Sequence, residues 1–272
     1  MRLANVNDEI FENLMDENEK IIYNLFELIR EDSKSLIVTD DRSYIFAGNS
    51  RRAPNWLFLK SQPEGSTFDE LVKLISGMAD LNALFKINGQ EEYIRPLLDK
   101  VSEKCRRQYK PEFSMEVYSC VVPIPLELTD GKMILPREDH RPILKDLIAL
   151  MVKDSEGFEF NSDDSDRFTT AMLASKSLSL WENNEGKIVS MTKVAHRNSK
   201  YARINTIFTD HSSRGHDYTK MLLSCVTKSL LADGITPIIY IDKTNEKKAE
   251  AYRKVGYEKV GEVTQFSFEQ TL

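Results

Sequence analysis

Apolar positions at helical spacing open the chain: Ile10, Phe11, Leu14, Ile21, Ile22, Leu25, Phe26 and Ile29 predict one helix from about Asp8 to Arg30. The period then shortens to two, and strands are predicted at Ser35 to Thr39, Tyr44 to Ala47 and Trp56 to Lys60. Helical spacing returns at Phe68 to Ile75 and from about Gln90 to Lys104, separated by the short apolar run Ala83 to Ile87. A strand at Phe113 to Val122 ends this half. Three prolines and a Thr-Asp-Gly turn mark Pro123 to Asp139 as a seam, with the division placed at Gly131.

Beyond the seam, helices are predicted at Pro142 to Val152 and Asp163 to Ser175, then strands at Leu178 to Trp181, Lys187 to Ala195 and Ala202 to Thr209. A helix over Tyr218 to Leu231 is followed by Gly234 at the C-cap position, and by a strand, Ile235 to Ile241, too apolar for a wet edge. A short helix, Glu246 to Lys254, and strands at Tyr257 to Val260 and Val263 to Phe268 complete the order αα, βββ, α, β, α, ββ. The tail of that order occurs in the first half too. Setting Phe58 on Phe208 puts Gly65 on Gly215, Phe68 on Tyr218 and Leu71 on Met221 without a gap, which suggests an internal duplication.

Composition narrows the function classes. The 272 residues are 41% hydrophobic and 29% charged, a globular balance. No stretch approaches the roughly 18 apolar residues of a membrane span, and the acidic N-terminus lacks a signal-peptide pattern, so a soluble, cytoplasmic protein is expected. A net charge of -6 with no basic stripe argues against nucleic acid. Cys105, Cys120 and Cys225 form no CxxC pair and are expected as buried thiols. His140, His196, His211 and His216 have no metal-site spacing, so no metal is expected, and no nucleophile elbow or Walker motif occurs.

The segment Ile204 to Leu223 carries the most chemistry. A strand running through a polar, glycine-containing turn into a helix leaves the first helical amides without internal partners, where a diphosphate gains hydrogen bonds and the helix dipole. Arg214 can add a charge-assisted contact.

These residues, IFTDHSSRGHDYTKML, together with PIIYIDKTNEKKAEAYRKVGYEKVGE, resemble the acetyl-CoA-binding half of the GNAT N-acetyltransferase superfamily. Arg214 and Gly215 match the family's phosphate turn, and Asn245, Tyr252, Gly256 and Tyr257 match its second block in register. Asp217 and Thr219 depart from the small residues of the pattern. The resemblance implies a mixed α/β (α+β), mainly antiparallel sheet flanked by helices, with a GNAT domain at 131–272 and a degenerate GNAT-like domain at 1–130. It implies acetyl-CoA as co-substrate, held by Ile207, Phe208, Thr209, Arg214, Gly215, His216, Asp217, Tyr218, Thr219 and Asn245.

The implied reaction is direct attack of a primary amine, small or peptidic, on the acetyl thioester, with Tyr252 as the acid for the leaving thiolate. No acid lies within Ala202 to Thr209 to serve as the family's base; Glu182, Asp210 and His196 are nearby candidates, each expected as a solvated group. In the first half Glu64 stands where Arg214 does, so that turn should repel an anion, and the first half is expected to cover and shape the acceptor pocket. A non-catalytic reading stays open, in which Asp217 caps the helix, occupies the anion site and leaves a scaffold for sensing or binding.

Overall fold

The computed structural model describes residues 1–49 and 53–269. The first half runs β1 (Arg2–Leu3), α1 (Ile10–Asn13), α2 (Glu17–Ile22), α3 (Phe26–Arg30), β2 (Leu36–Thr39), β3 (Tyr44–Gly48), β4 (Asn55–Leu59), α4 (Gly65–Leu81), β5 (Lys86–Gly89), α5 (Glu91–Cys105) and β6 (Tyr109–Ser119). The second runs β7 (Lys132–Ile134), α6 (Arg141–Glu156), α7 (Ser162–Ala174), β8 (Leu178–Glu182), β9 (Ile188–Arg197), β10 (Tyr201–Thr209), α8 (Tyr218–Ala232), β11 (Thr236–Asp242), α9 (Glu246–Arg253) and β12 (Glu258–Phe268).

These elements form two compact units. Unit 1 comprises Met1–Val117, Tyr240–Asn245 and Lys259–Leu272; unit 2 comprises Tyr118–Ile239 and Glu246–Glu258. Strand order is β1-β2-β3-β4-β5-β12-β6 in unit 1 and β11-β10-β9-β8-β7 in unit 2. The sheet is mostly antiparallel, with β4–β5 and β10–β11 parallel. In unit 1 Leu71, Ile75, Leu97 and Val101 of the two long helices bury against Phe46, Leu57, Ile87 and Phe266. In unit 2 Leu144, Leu147, Ile148 and Met172 cover Leu180, Ile188, Met191 and Phe208. Both units therefore rest on an apolar sheet face covered by amphipathic helices.

Three predicted elements and one burial expectation differ. The helix expected over Asp8 to Arg30 is three short ones, because Asp16 accepts from the Glu19 amide at 2.8 Å while Glu19 accepts from the Asp16 amide at 2.7 Å, a capping box that restarts the chain. The two final strands are one, β12, running through Gly261. The Pro123 to Asp139 seam contains β7, paired with β8. Only Cys120 of the cysteines is buried; Cys105 and Cys225 are half-buried.

The repeated strand, turn, helix, strand order is present in each unit: β4–α4–β5 and β10–α8–β11. In both, the parallel ladder is short, two pairs ending at Trp56–Asn88 and four ending at Ile204–Ile239. The gapless register is not kept, since eight residues separate Trp56 from Gly65 and thirteen separate Ile204 from Tyr218. The longer turn is the one that carries Arg214.

Candidate acetyl-CoA site

β10 reaches the turn through two register shifts against β9, after Arg203 and after Asn205. Thr206 inside the second has φ 56°, a left-handed backbone that a β-branched residue adopts only at a cost of order 1 to 3 kcal/mol. From Asn205 onward β10 keeps its ladder with β9, while the ladder with β11 has already stopped at Ile204. The main chain at Ile207, Phe208 and Thr209 is thus offered along one edge. The Phe208 side chain is buried in the unit 2 core.

The end of the strand is stitched to the helix by hydroxyls. Thr209 Oγ1 lies 2.6 Å from Thr219 Oγ1 and donates to Ser190 Oγ at 2.9 Å, and Ser190 Oγ donates to the Phe208 carbonyl at 2.9 Å. Thr219, a departure from the family pattern, therefore anchors the first turn of α8 to β10.

Between them, His211–Ser213 form one 3₁₀ turn and Gly215 takes φ 90°, with open space where a side chain would project. Asp217 occupies the N-cap of α8 in the left-handed region, φ 61°, and makes no side-chain cap hydrogen bond. Its carboxylate pairs instead with Lys220 at 2.6 Å. Asp and Asn tolerate this conformation better than other non-glycine residues, which explains how aspartate takes a place the family gives to glycine. The expectation that Asp217 would fill the anion site as a cap is therefore corrected: the first-turn amides of α8 have no side-chain cap.

Arg214 and His211 meet at one carboxylate. Asp154 Oδ2, in the last turn of α6, accepts from Arg214 Nη2 at 2.7 Å and lies 2.9 Å from His211 Nε2. The hydrogen bonds from His211 and then Arg214 hold the Asp154 carboxyl below the ordinary carboxylate range. The Phe208 ring lies 5.7 Å from the Arg214 guanidinium and 5.9 Å from the His211 ring. Asp154 was not singled out in the sequence. Its one sequence signal is an acid in the last turn of a helix, where the dipole disfavours it.

On the other flank, His216 stacks on Tyr218 at 5.5 Å. The Tyr218 hydroxyl donates to Asp130, whose other oxygen accepts from the Asn184 amide at 2.9 Å. That bond to Asp130 raises the Tyr218 pKa and lowers that of Asp130. A polar cavity of about 380 Å³ lies here, lined by Asp130, Asn183, Lys187, Ser212, His216 and Tyr218.

Tyr252 lies on α9 and is 3% exposed, its ring 6.4 Å from that of Tyr257. Burial pushes its phenol well above the ordinary tyrosine value. Tyr257 is structural, its hydroxyl 2.8 Å from Thr227 Oγ1, and Gly256 at φ 108° brings the backbone against Val122, where a β-carbon would sit 2.6 Å from the carbonyl oxygen. Asn245 belongs to unit 1, its amide donating to the Asp242 carbonyl at 2.8 Å. The three base candidates are half-buried rather than solvated. Asp210 is held by Ser212 and Lys187 at 2.6 and 3.3 Å, and Glu182 lies 3.4 Å from Lys132. Among the described residues no group of three or more His, Cys, Asp or Glu converges as a metal site, and no helix is long and apolar enough to cross a membrane.

The family model for the acetyltransferase (GNAT) domain matches residues 149–268. An acetyltransferase from the GNAT family of Colwellia psychrerythraea is 15% identical over 100% of both chains, with a TM-score of 0.59. A GCN5-related N-acetyltransferase from Sphaerobacter thermophilus is 14% identical over 89% of this chain and 84% of its own, TM-score 0.60. A tandem GNAT protein from the clavulanic acid biosynthesis pathway is 9% identical over 98% of this chain and 97% of its own, TM-score 0.55. No curated protein matches the sequence. Residues 149–268 match the acetyltransferase (GNAT) domain model, and the chain shares the fold of these solved structures along its whole length. The domain model matched by residues 149–268 points to acetyl transfer in general, with acetyl-CoA the acyl donor that such domains generally use.

Proposed function

We propose that this protein is an acyl-CoA-dependent N-acetyltransferase, moving an acetyl group from acetyl-CoA to a small or peptidic primary amine by direct attack. One observation carries the reading: a single strand–turn–helix combines a parallel ladder that stops at Ile204 with an uncapped helix start at Tyr218. The residues suit the co-substrate. The main chain of Ile207, Phe208 and Thr209, past the end of the ladder with β11, suits an amide-bearing arm, and the turn Arg214 to Thr219 presents main-chain donors to a diphosphate. The carboxylate of Asp217, neutralised by Lys220, does not stand in their place. This weighs against the scaffold reading, which needed Asp217 in the cradle.

Bound acetyl-CoA supplies an acyl thioester. The chain's own part is to hold it, exclude water and manage protons. In this assignment the buried Tyr252 phenol keeps its proton throughout the neutral range and donates it to the leaving sulfur. Arg214 balances diphosphate charge, and Asn245 keeps the cofactor role that the resemblance implies. The first half, residues 1–130, is assigned no cofactor of its own. Its helix α4 starts behind Glu64, and Tyr23 packs its ring against Trp56 and Phe58 of β4 at 6.1 and 5.2 Å. A cytoplasmic location accords with the reading.

Titration calorimetry with acetyl-CoA at neutral pH tests the assignment, with micromolar binding expected. A chain that takes up no acetyl-CoA and releases no free thiol with any primary amine would leave only the scaffold.

A further inference from the structure

We propose that Asp154 is an internal competitor of the cofactor's diphosphate, a positioning residue that holds Arg214 and His211 when the turn is empty and sets how tightly CoA binds. The proposal rests on the acetyl-CoA reading of the turn. The Arg214 guanidinium and the His211 ring converge on a single oxygen, Oδ2, at 2.7 and 2.9 Å, and a carboxylate oxygen presents to them the same chemistry as a phosphate oxygen. The Arg214 guanidinium has only one other hydrogen bond among the described residues, a long one of 3.4 Å from Nε to the Thr209 carbonyl.

The helix end disfavours an acid at this position, and the charge of the adjacent Lys153 offsets this in part. Asp154 lies in the last turn, against the negative end of the helix dipole, and the neighbouring Lys153 is turned to Glu159 at 2.6 Å. Its main stabilisation comes from the turn. All three side chains are part-exposed, at 54% for Arg214, 48% for His211 and 39% for Asp154, so exchanging one acceptor for another is cheap. A diphosphate carries more negative charge than one carboxylate and wins Arg214, but it must first displace Asp154. The carboxylate is then ready to reclaim the guanidinium as CoA leaves, which would speed product release.

The test is calorimetry of the full chain with CoA. Asp154→Asn should bind CoA about fivefold more tightly, which is ~1 kcal/mol at 1.4 kcal/mol per tenfold. Asp154→Glu, which keeps the charge, should stay near the parent affinity. The gain should vanish when Arg214→Ala is added, an outcome that a merely structural role for Asp154 would not produce. Equal or weaker CoA binding by Asp154→Asn, while the parent chain binds CoA, overturns the competitor role and leaves the acetyltransferase reading intact. Absence of CoA binding by the parent and every variant removes both.

Discussion

The Asp217 carboxylate lies 2.6 Å from the Lys220 ammonium, one turn along the helix it precedes, and accepts no cap hydrogen bond from that helix. An acid thus stands beside the proposed diphosphate site without closing it. Its charge is masked rather than removed, because the pair is exposed on the Asp217 side and screened by solvent.

Asp217→Gly should therefore tighten CoA binding by about three- to tenfold, the scale of unlike and like charges a few ångströms apart in water. Stability should change by less than ~1 kcal/mol, since relief of the left-handed backbone at φ 61° opposes the added freedom of glycine in the unfolded chain. Calorimetry and urea denaturation read the two effects separately. Unchanged affinity in a chain that does bind CoA would show that Asp217 is electrostatically silent.

Tyr252→Phe should lower kcat by about a hundredfold and leave the KM for acetyl-CoA within twofold, as removal of a general acid does. Because burial raises this phenol above its ordinary value, no limb of the pH–rate profile below about pH 10 should belong to it. A variant with parental kcat would transfer the acid role elsewhere.

The turn and α9 were legible because both are local. Period two gives way to period 3.6 between Thr209 and Tyr218, Arg214 and Gly215 stand in the gap, and Tyr252, Gly256 and Tyr257 keep their spacing within one short stretch. What escaped is what sequence patterning cannot encode. Alternation tells which face of β12 is buried but not that Thr264 pairs with Gly89 of β5. Asp154 is sixty positions from Arg214, and neither residue type nor spacing links them. The break at Asp16 is different in kind: Asp16 and Glu19 spell a capping box, but the apolar positions on either side keep helical spacing and mask it.

Thr209→Val keeps the shape of the strand end while removing the hydroxyl that joins Thr219 to Ser190. Buried Ser190 loses its donor and half-buried Thr219 loses one partner, so unfolding free energy should fall by about 1 to 3 kcal/mol. Main-chain contacts of Thr209 are untouched, and CoA affinity should change much less than stability does. Urea midpoints at constant m-value provide the measure. A loss of affinity with unchanged stability would mean that the hydroxyl itself faces the cofactor.

Burial also fixes the alkaline limit of the protein. Tyr252 and Tyr257 in unit 2, and Tyr23 in unit 1, hold their phenol protons more tightly folded than unfolded, with desolvation the leading cause in each. A group whose folded pKa is raised contributes stability that is complete below the unfolded value, about 10 for tyrosine, and is lost as pH climbs toward the folded one. Above that point the unfolded chain has released a proton that the native chain keeps, so each such phenol should cost about 1.4 kcal/mol per pH unit. Stability measured by urea unfolding should accordingly be insensitive to these groups at pH 7 to 9 and fall steeply beyond 10. Their phenolate absorbance should appear only together with loss of native structure. Tyr252→Phe removes one of the unit 2 contributions and should flatten the alkaline slope of that unit; an unaltered slope would mean that Tyr252 already titrates in the folded protein, contrary to its burial.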